Sequence, residues 1–171
     1  MNEKIIYLLI GVKGSGKSYI GALMEREFGI KFIRVEDRAK EIKRDRGVSD
    51  DTYVQEVFKA IEQYVRNAAM QYGQIVFEST GITEHFDKMF NNLQNDHRVI
   101  TINVRADDAL CMERMRTRDQ SIHINVSDAE AKQINKMVAD KNLATDHIVD
   151  NNKKAASELA AEIALIIKRN I

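Results

Sequence analysis

Short apolar runs alternate along the chain with segments whose apolar residues recur at helical spacing. The apolar runs cover residues 4–10, 31–35, 75–77, 98–104 and 146–150. A helical pattern follows each run, with two such patterns after the second run and two after the fourth. Continuous apolar runs are typical of strands buried on both faces of a parallel sheet. The alternation predicts a single α/β domain over residues 1–171, built on a five-stranded, mostly parallel sheet with right-handed crossovers.

Capping residues mark several helix boundaries. Gly47 closes a highly charged helix, and either Ser49 or Asp50 begins the long helix that follows. Ser127 has Glu130 three residues later, which is the capping-box spacing. These signals place the helix boundaries in a chain that contains no proline.

Composition restricts the class of protein. The formal net charge is zero and 44% of the residues are apolar, so no global field favours nucleic acid or an anionic membrane. Cys111 is the sole cysteine, which leaves no intramolecular disulfide. The sequence has no apolar run of about 18 residues and no signal-peptide pattern. We therefore expect a cytoplasmic protein, monomeric or homodimeric, that binds neither nucleic acid nor membrane.

A phosphate-binding pattern, G-x-x-x-x-G-K-[ST], runs from Gly11 to Ser18 between the first predicted strand and the first predicted helix. Its glycines allow the backbone N–H groups to turn inward toward phosphates at a helix N-terminus. Lys17 is placed to reach the β- and γ-phosphates, and the Ser18 hydroxyl to ligate Mg2+. The pattern predicts ATP and Mg2+ as cofactors. The predicted nucleotide contacts are Gly11, Gly14, Ser15, Gly16, Lys17, Ser18, Tyr19 and Arg114.

Two acidic residues follow predicted strands, at the sheet edge where α/β proteins bind ligands. Glu78 comes directly after the third apolar run and is a candidate Mg2+ ligand, alone or through water. Its alternative role is to cap a turn with Ser79 and Thr80. Glu36 follows the second run and is a candidate base for an acceptor hydroxyl. Its alternative role is that of an acid at a helix start, which suits the adjacent Asp37 better.

Arg114, Arg116 and Arg118 precede a polar segment that we interpret as a lid, residues 116–127. A lid can bring a guanidinium onto a transferring phosphoryl group, and Arg118 at its entrance is the predicted catalytic cation. Cations at a helix C-terminus also occur without any function. The apolar residues of this segment are Ile122, Ile124 and Val126, all in its second half. We expect the lid to be mobile when empty and to be ordered by nucleotide.

The order of these features resembles the shikimate-kinase and nucleoside-monophosphate-kinase group over nearly the whole chain. Phe58-Lys59-Ala60-Ile61-Glu62 is similar to the F-R-x-x-E element of shikimate kinases, with Lys59 in place of the arginine that binds the substrate carboxylate. Residues 145–149, T-D-H-I-V, resemble the late A-D-x-h-h segment. The resemblance implies a three-layer P-loop NTPase fold with sheet order 2-3-1-4-5, helices on both faces and a small lid. It places Glu78 beside the phosphate-loop strand.

The same resemblance implies an acceptor-binding region at residues 34–62, and the implied substrate contacts are Arg34, Glu36, Lys59 and Gly81. Lys59 and Glu62 alternatively form an exposed helix pair. Three acceptor elements differ from shikimate kinases: D-x-D is Arg34-Val35-Glu36, G-G-G is Gly81-Ile82-Thr83, and R-P-L-L is Arg118-Asp119-Gln120-Ser121. Shikimate itself is therefore not the expected acceptor.

The leading hypothesis is transfer of the ATP γ-phosphoryl group to a hydroxyl of a small polar metabolite. In that reading, Lys17, Mg2+ and Arg118 neutralise charge and Glu36 orients the hydroxyl. One alternative is a nucleoside or nucleotide kinase in which Arg34, Arg38 and Lys59 bind an acceptor phosphate. Another is a regulatory protein that binds ATP with little turnover.

Overall fold

Five parallel strands form one sheet in a computed structural model of the chain, which describes residues 3–46, 50–121, 123 and 126–171. They are β1 (Ile5–Ile10), β2 (Lys31–Phe32), β3 (Gln74–Ser79), β4 (Arg98–Arg105) and β5 (His147–Asp150). Their spatial order is β2-β3-β1-β4-β5, and every neighbouring pair is parallel. The predicted fold class and sheet order are confirmed.

Helices cover both faces of the sheet. Within the described residues they are α1 (Lys17–Phe28), α2 (Val35–Arg46), α3 (Asp51–Tyr72), α4 (Glu84–Asp96), α5 (Asp108–Thr117), α6 (Asp128–Lys141) and α7 (Ala156–Asn170). Helices α1 and α7 pack on one face, and α2, α3 and α4 pack on the other. None of the helices in these ranges combines the length and apolarity that a bilayer span requires. The result is a three-layer arrangement with the sheet in the middle.

The position of β1 in the middle of the sheet explains why its sequence is apolar throughout. Ile5, Tyr7 and Leu9 face the core that α1 and α7 share. The alternate residues Ile6 and Leu8 face the core formed with α3 and α4. Because side chains alternate across a strand, a strand covered on both faces has no position left for a polar residue. Each such buried side chain contributes roughly 1.5–3 kcal/mol relative to exposure.

The predicted caps that fall on described residues are present. The Asp50 carboxylate accepts a hydrogen bond from the Tyr53 backbone N–H at 2.8 Å, which starts α3. Ser127 and Glu130 form the capping box that starts α6. The predictions for Gly47, Ser49, Ile122 and Ile124, and the part of the lid at residue 125, lie outside the described residues.

The second strand is shorter than predicted. It covers Lys31–Phe32 rather than residues 31–35, and α2 already begins at Val35. Glu36 and Asp37 lie in the first helical turn, where the N-terminal end of the helix dipole favours carboxylates. Glu36 therefore belongs to the start of a helix and does not directly follow a strand.

Asp146, in the segment before the last strand, joins β4 to β5. Its carboxylate accepts hydrogen bonds from the Thr101 backbone N–H at 2.7 Å and from the Thr101 hydroxyl at 2.8 Å. The Thr101 hydroxyl in turn accepts from the Asp146 backbone N–H at 2.9 Å. This reciprocal arrangement fixes the register of the outer strand, and with it the position of the residues just after β5.

Candidate active site

The phosphate loop, residues 11–18, connects the end of β1 to the start of α1. Gly14 and Gly16 have φ angles of 83° and 96°, a left-handed region that favours glycine. A Cβ at Gly14 would collide with the backbone of Cys111, and one at Gly16 with the Asn151 side chain. The loop therefore needs glycine for both its conformation and its close contacts, and its N–H groups lie at a helix N-terminus suited to an anion.

Lys17 is buried at the centre of this loop. Its Nζ donates hydrogen bonds to the backbone carbonyls of Gly11 and Val12, both at 2.9 Å. Burial lowers the pKa of the Lys17 ammonium, and the nearby Glu78 carboxylate acts in the opposite direction. A bound phosphate would supply further negative charge to this buried ammonium.

Ser18, in the first turn of α1, lies beside Glu78 because the phosphate loop follows β1 and β1 is adjacent to β3 in the sheet. Leu9 of β1 is in register with Glu78 of β3. The Ser18 hydroxyl lies 2.9 Å from each oxygen of the Glu78 carboxylate, to which it donates. Burial raises the pKa of Glu78, while Lys17 and the hydrogen bond from Ser18 lower it. A hydroxyl beside a buried carboxylate fits the oxygen ligands that Mg2+ prefers.

No group of three or more His, Cys, Asp or Glu side chains suited to a metal ion occurs in the described part of the chain. A Mg2+ ion at Ser18 and Glu78 would complete its shell with phosphate oxygens and water, as this ion commonly does in kinases. The donor set thus fits a metal that arrives with a nucleotide.

Arg114 and Asn151 donate hydrogen bonds to backbone carbonyls of the phosphate loop. The Arg114 guanidinium donates to the carbonyls of Gly14 and Ser15 at 3.3 and 3.2 Å, and to that of Asn151 at 2.7 Å. The Asn151 side chain, itself buried, donates to the Ser15 carbonyl at 2.9 Å. Sequence reasoning missed Asn151, although its place directly after β5, at the ligand-binding edge of the sheet, was an available signal.

Asn135 of α6 also forms hydrogen bonds with the backbone of the phosphate loop. Its Oδ1 accepts from the Lys13 backbone N–H at 2.8 Å, and its Nδ2 donates to the Lys13 carbonyl at 3.1 Å. The amide pairs with the loop backbone much as a neighbouring strand would. The sequence offered no signal for this contact, because nothing in the pattern of α6 distinguishes Asn135 from an exposed polar residue.

A cavity of about 360 Å³ extends from the phosphate loop toward α2, α3 and α4. Its lining residues are Lys13, Gly14, Gly16, Lys17, Ser18, Tyr19, Val35, Glu36, Ala39, Phe58, Ile61, Phe77, Glu78, Ser79, Thr80, Met89, Arg114, Arg118 and His123. Most of the predicted site residues thus surround a single space. We call this space the main cavity.

Arg118 reaches the main cavity from the C-terminal end of α5. Its Nε is buried and has no hydrogen-bond partner within the described ranges. Arg116 instead is exposed and pairs with Asp128 at 2.8 Å. Of these two residues, Arg118 is therefore the one placed to meet a ligand.

Glu36 and His123 lie next to each other in the wall of the main cavity. The Glu36 Oε2 lies 3.5 Å from the His123 Nδ1, and both side chains are largely shielded from solvent. Burial, reinforced by Arg118, lowers the pKa of His123, although Glu36 acts against this shift. Lys13 also has a pKa lowered mainly by burial, with Glu36 opposing it. Lys13 and His123 are site residues that the sequence-based assignment did not include.

Three predicted acceptor contacts are not part of the main cavity wall. Arg34 pairs with Asp37 at 3.5 Å and lines a separate surface depression between α2 and α3. Lys59 is exposed, because one helical residue turns the side chain by roughly 100° away from that of Phe58, which does line the main cavity. Gly81 has a φ of 76° and lines the neighbouring cavity that contains Lys141.

Comparisons with known proteins show the family of the chain. The model of the AAA domain family matches residues 6–142. The chain belongs to this family. The match ends before β5, so Asn151 contacts the phosphate loop from outside the matched residues.

This AAA domain is also similar to small-molecule kinases along its length. The shikimate kinase of Staphylococcus aureus (strain Newman) is 26% identical over 187 residues, covering 98% of this chain and 96% of the relative. The structure of shikimate kinase from Acinetobacter baumannii in complex with shikimate has a TM-score of 0.65 at 17% identity, covering 98% and 94% of the two chains. The APS kinase of Mycobacterium tuberculosis in complex with AMPPNP and APS has a TM-score of 0.62 at 14% identity, covering 98% of each chain. The predicted resemblance to this group of kinases is confirmed. At sequence identities of 17% and 14%, the two solved structures establish a shared fold.

Proposed function

We propose that the protein is a kinase that transfers the γ-phosphoryl group of Mg-ATP to a hydroxyl of a small metabolite. The observation that carries this proposal is the main cavity, which joins the phosphate loop to Glu36 without an intervening wall. Donor and acceptor would share one continuous space, as phosphoryl transfer requires. The similarity to shikimate kinases and to an APS kinase supports the same class of reaction.

Each residue has a distinct role in this proposal. Lys17 and Arg118 neutralise the phosphate oxygens, and Arg114 keeps the loop in shape beneath them. Ser18 and Glu78 hold Mg2+, which would neutralise charge on the β- and γ-phosphates. We place the acceptor against the region 34–62 and assign the lid to residues 116–127. A lid that closes there excludes water, which otherwise competes with the acceptor.

Glu36 is the proposed base. Its carboxylate accepts the proton of the acceptor hydroxyl as that oxygen bonds to the γ-phosphorus. The bond from the γ-phosphorus to the bridging oxygen breaks, and ADP leaves. Glu36 is suited to this role because it lies in the first turn of α2 and lines the main cavity together with the phosphate loop.

A screen of hydroxyl-bearing metabolites with labelled ATP tests the proposal directly. With any acceptor found, Glu36→Gln should lower kcat by about a hundredfold or more, the usual range for loss of a general base. Binding of Mg-ATP should change less than kcat, since Glu36 affects the phosphate loop through the electrostatic effect of its carboxylate on Lys13. Asp37→Asn is the matched control, because Asp37 is the adjacent acid but pairs with Arg34 outside the main cavity. Equal activity of the two variants would exclude Glu36 as the base.

A further inference from the structure

The phosphate loop carries a second lysine, Lys13, which lines the main cavity as Lys17 does. The pattern G-x-x-x-x-G-K-[ST] leaves this position open, so the loop does not itself require a lysine there. The Lys13 side chain is partly buried. Lysine side chains usually extend into solvent, so a partly buried one beside a cavity indicates a role in that cavity.

The backbone that carries Lys13 is fixed from two sides. The Asn135 side chain pairs with the Lys13 N–H at 2.8 Å and with the Lys13 carbonyl at 3.1 Å. The next residue, Gly14, lies so close to the Cys111 backbone that a Cβ would collide with it. Groups that act on a transition state need a fixed starting position. The Lys13 side chain has one, at the wall of the main cavity.

Charged groups from three other parts of the fold act on the Lys13 ammonium: Glu36 of α2, Glu78 of β3 and Arg118 at the end of α5. Burial lowers the pKa of Lys13, Glu36 and Glu78 raise it, and Arg118 lowers it. Burial also lowers the pKa of Lys17, and Lys13 adds to this effect against Glu78. The Lys13 ammonium thus lies within electrostatic range of the proposed base, a proposed Mg2+ ligand and the two cations assigned to the phosphates.

The transferring phosphoryl group must pass between these same groups in the proposed reaction. Mg2+ at Ser18 and Glu78 would hold the phosphates, and Glu36 would hold the acceptor hydroxyl. The hydrogen bonds and ion pairs among the described residues do not involve the Lys13 ammonium, so it can turn to a ligand without losing a partner among them. A cation in this position meets the charge that spreads over the γ-phosphoryl oxygens in the transition state.

We propose that Lys13 is a further catalytic residue, whose ammonium contacts the γ-phosphoryl oxygens while the group passes from ADP to the acceptor. This inference rests on the proposed kinase function and adds a cation to that reaction. Lys17 holds the β- and γ-phosphates throughout, whereas the contact of Lys13 is strongest in the transition state. Lys13 stays protonated and transfers no proton. Because the role depends on charge, arginine replaces this lysine better than an uncharged residue does.

Two variants of Lys13 separate its charge from its shape. Lys13→Met keeps a long unbranched side chain without the charge, and with the acceptor found in the screen above it should lower kcat about a hundredfold. Its affinity for a non-hydrolysable Mg-ATP analogue, measured by calorimetric titration, should stay within about threefold of the natural chain, which also shows that it is folded. Lys13→Arg should keep kcat within about tenfold. Lys132→Met, the same change at an exposed lysine of α6, should match the natural chain.

Three results would overturn this inference and leave the kinase function standing. The first is an unchanged kcat in Lys13→Met. The second is a loss of analogue affinity in that variant as large as its loss of kcat/KM, since Lys13 would then bind substrate and transition state equally. The third is an equal loss of kcat in Lys13→Arg and Lys13→Met, because charge would then not be the property that matters. No turnover of any acceptor by the natural chain would refute the kinase function itself, and this inference with it.

Chemical labelling tests the contact without turnover. Reductive methylation with formaldehyde and cyanoborohydride, followed by mass spectrometry, gives the reactivity of each lysine. The Mg-ATP analogue should slow labelling of Lys13 at least about fivefold more than Mg-ADP does, because a γ-phosphate beside the ammonium lowers the fraction of reactive neutral amine. Both nucleotides should protect Lys17, and neither should protect Lys132. Equal protection of Lys13 by the two nucleotides would contradict the contact, and no protection of Lys17 by either would show that the loop does not bind the phosphates.

Discussion

At the scale of single residues, we expect Lys17 to have the most direct effect on the affinity for Mg-ATP. Lys17→Ala should weaken binding of Mg-ATP by roughly 10- to 150-fold, because a charged hydrogen bond contributes about 1.5–3 kcal/mol. The melting temperature should change little, since burial of the ammonium already costs stability and lowers its pKa. Calorimetric titration with a non-hydrolysable ATP analogue measures the affinity.

Lys88→Ala is the matched control for this variant, because Lys88 is an exposed lysine on α4. It should bind the analogue as the natural chain does. Native-like affinity of Lys17→Ala would mean that the loop does not use this ammonium for phosphate.

His123 should make stability depend on pH. Its pKa in the folded protein lies below the ordinary 6.5, mainly because of burial and then because of Arg118. Between these two pKa values the unfolded chain binds more protons, so stability falls as the pH drops from above 6.5 through the folded pKa. His123→Gln should therefore lose less stability than the natural chain on acidification across that window. Urea denaturation at a series of pH values measures this, and parallel slopes for both proteins would contradict it.

At the scale of elements, α6 is coupled to the phosphate loop through one side chain. Asn135→Ala removes two hydrogen bonds to the Lys13 backbone and should lower stability by about 1–2 kcal/mol. It should also weaken Mg-ATP binding several-fold, because the loop then orders only when the nucleotide binds. Denaturation and titration of the same samples measure both effects.

Two further variants separate the contact from the helix. Asn135→Asp keeps an acceptor for the Lys13 N–H but places a carboxylate against the Lys13 carbonyl, so it should not restore the affinity. Gln133→Ala changes an exposed residue of α6 and should behave as the natural chain. A loss of affinity in Gln133→Ala equal to that in Asn135→Ala would show that α6 as a whole, rather than the amide, supports the loop.

At the scale of the whole molecule, nucleotide should order the described parts of the proposed lid and the helices next to them. Peptides covering residues 112–121 and 126–141 should exchange amide hydrogen more slowly with a Mg-ATP analogue bound, because Arg118 then meets phosphate and Asn135 holds a loop that the ligand fixes. Hydrogen exchange by mass spectrometry measures this. Residues 156–170 of α7, on the face of the sheet away from α3 and α4, should be unaffected. Equal exchange with and without the analogue would show that the lid region does not respond to nucleotide.

The sequence by itself determined the local elements and the nucleotide half of the site. Apolar periodicity, the Asp50 and Ser127 caps and the contiguous loop from Gly11 to Ser18 all act between residues close in the chain. Parallel strands with right-handed crossovers then leave few arrangements of the sheet. The resemblance to a kinase family selected the one that brings Glu78 beside Ser18, and the structure confirms it.

Only the tertiary structure decided what surrounds those elements. Asn135 and Asn151 contact the loop across 122 and 136 residues of chain, and for Asn135 no local pattern predicts the contact. The start of α2 at Val35 turned Glu36 toward the main cavity, and the phase of α3 put Phe58 rather than Lys59 in its wall. Side-chain identity is fixed by the sequence, but the direction in which a helical side chain points depends on how the helix docks against the sheet. The proposed acceptor side of the site is therefore set by packing, and the phosphate loop by a local motif.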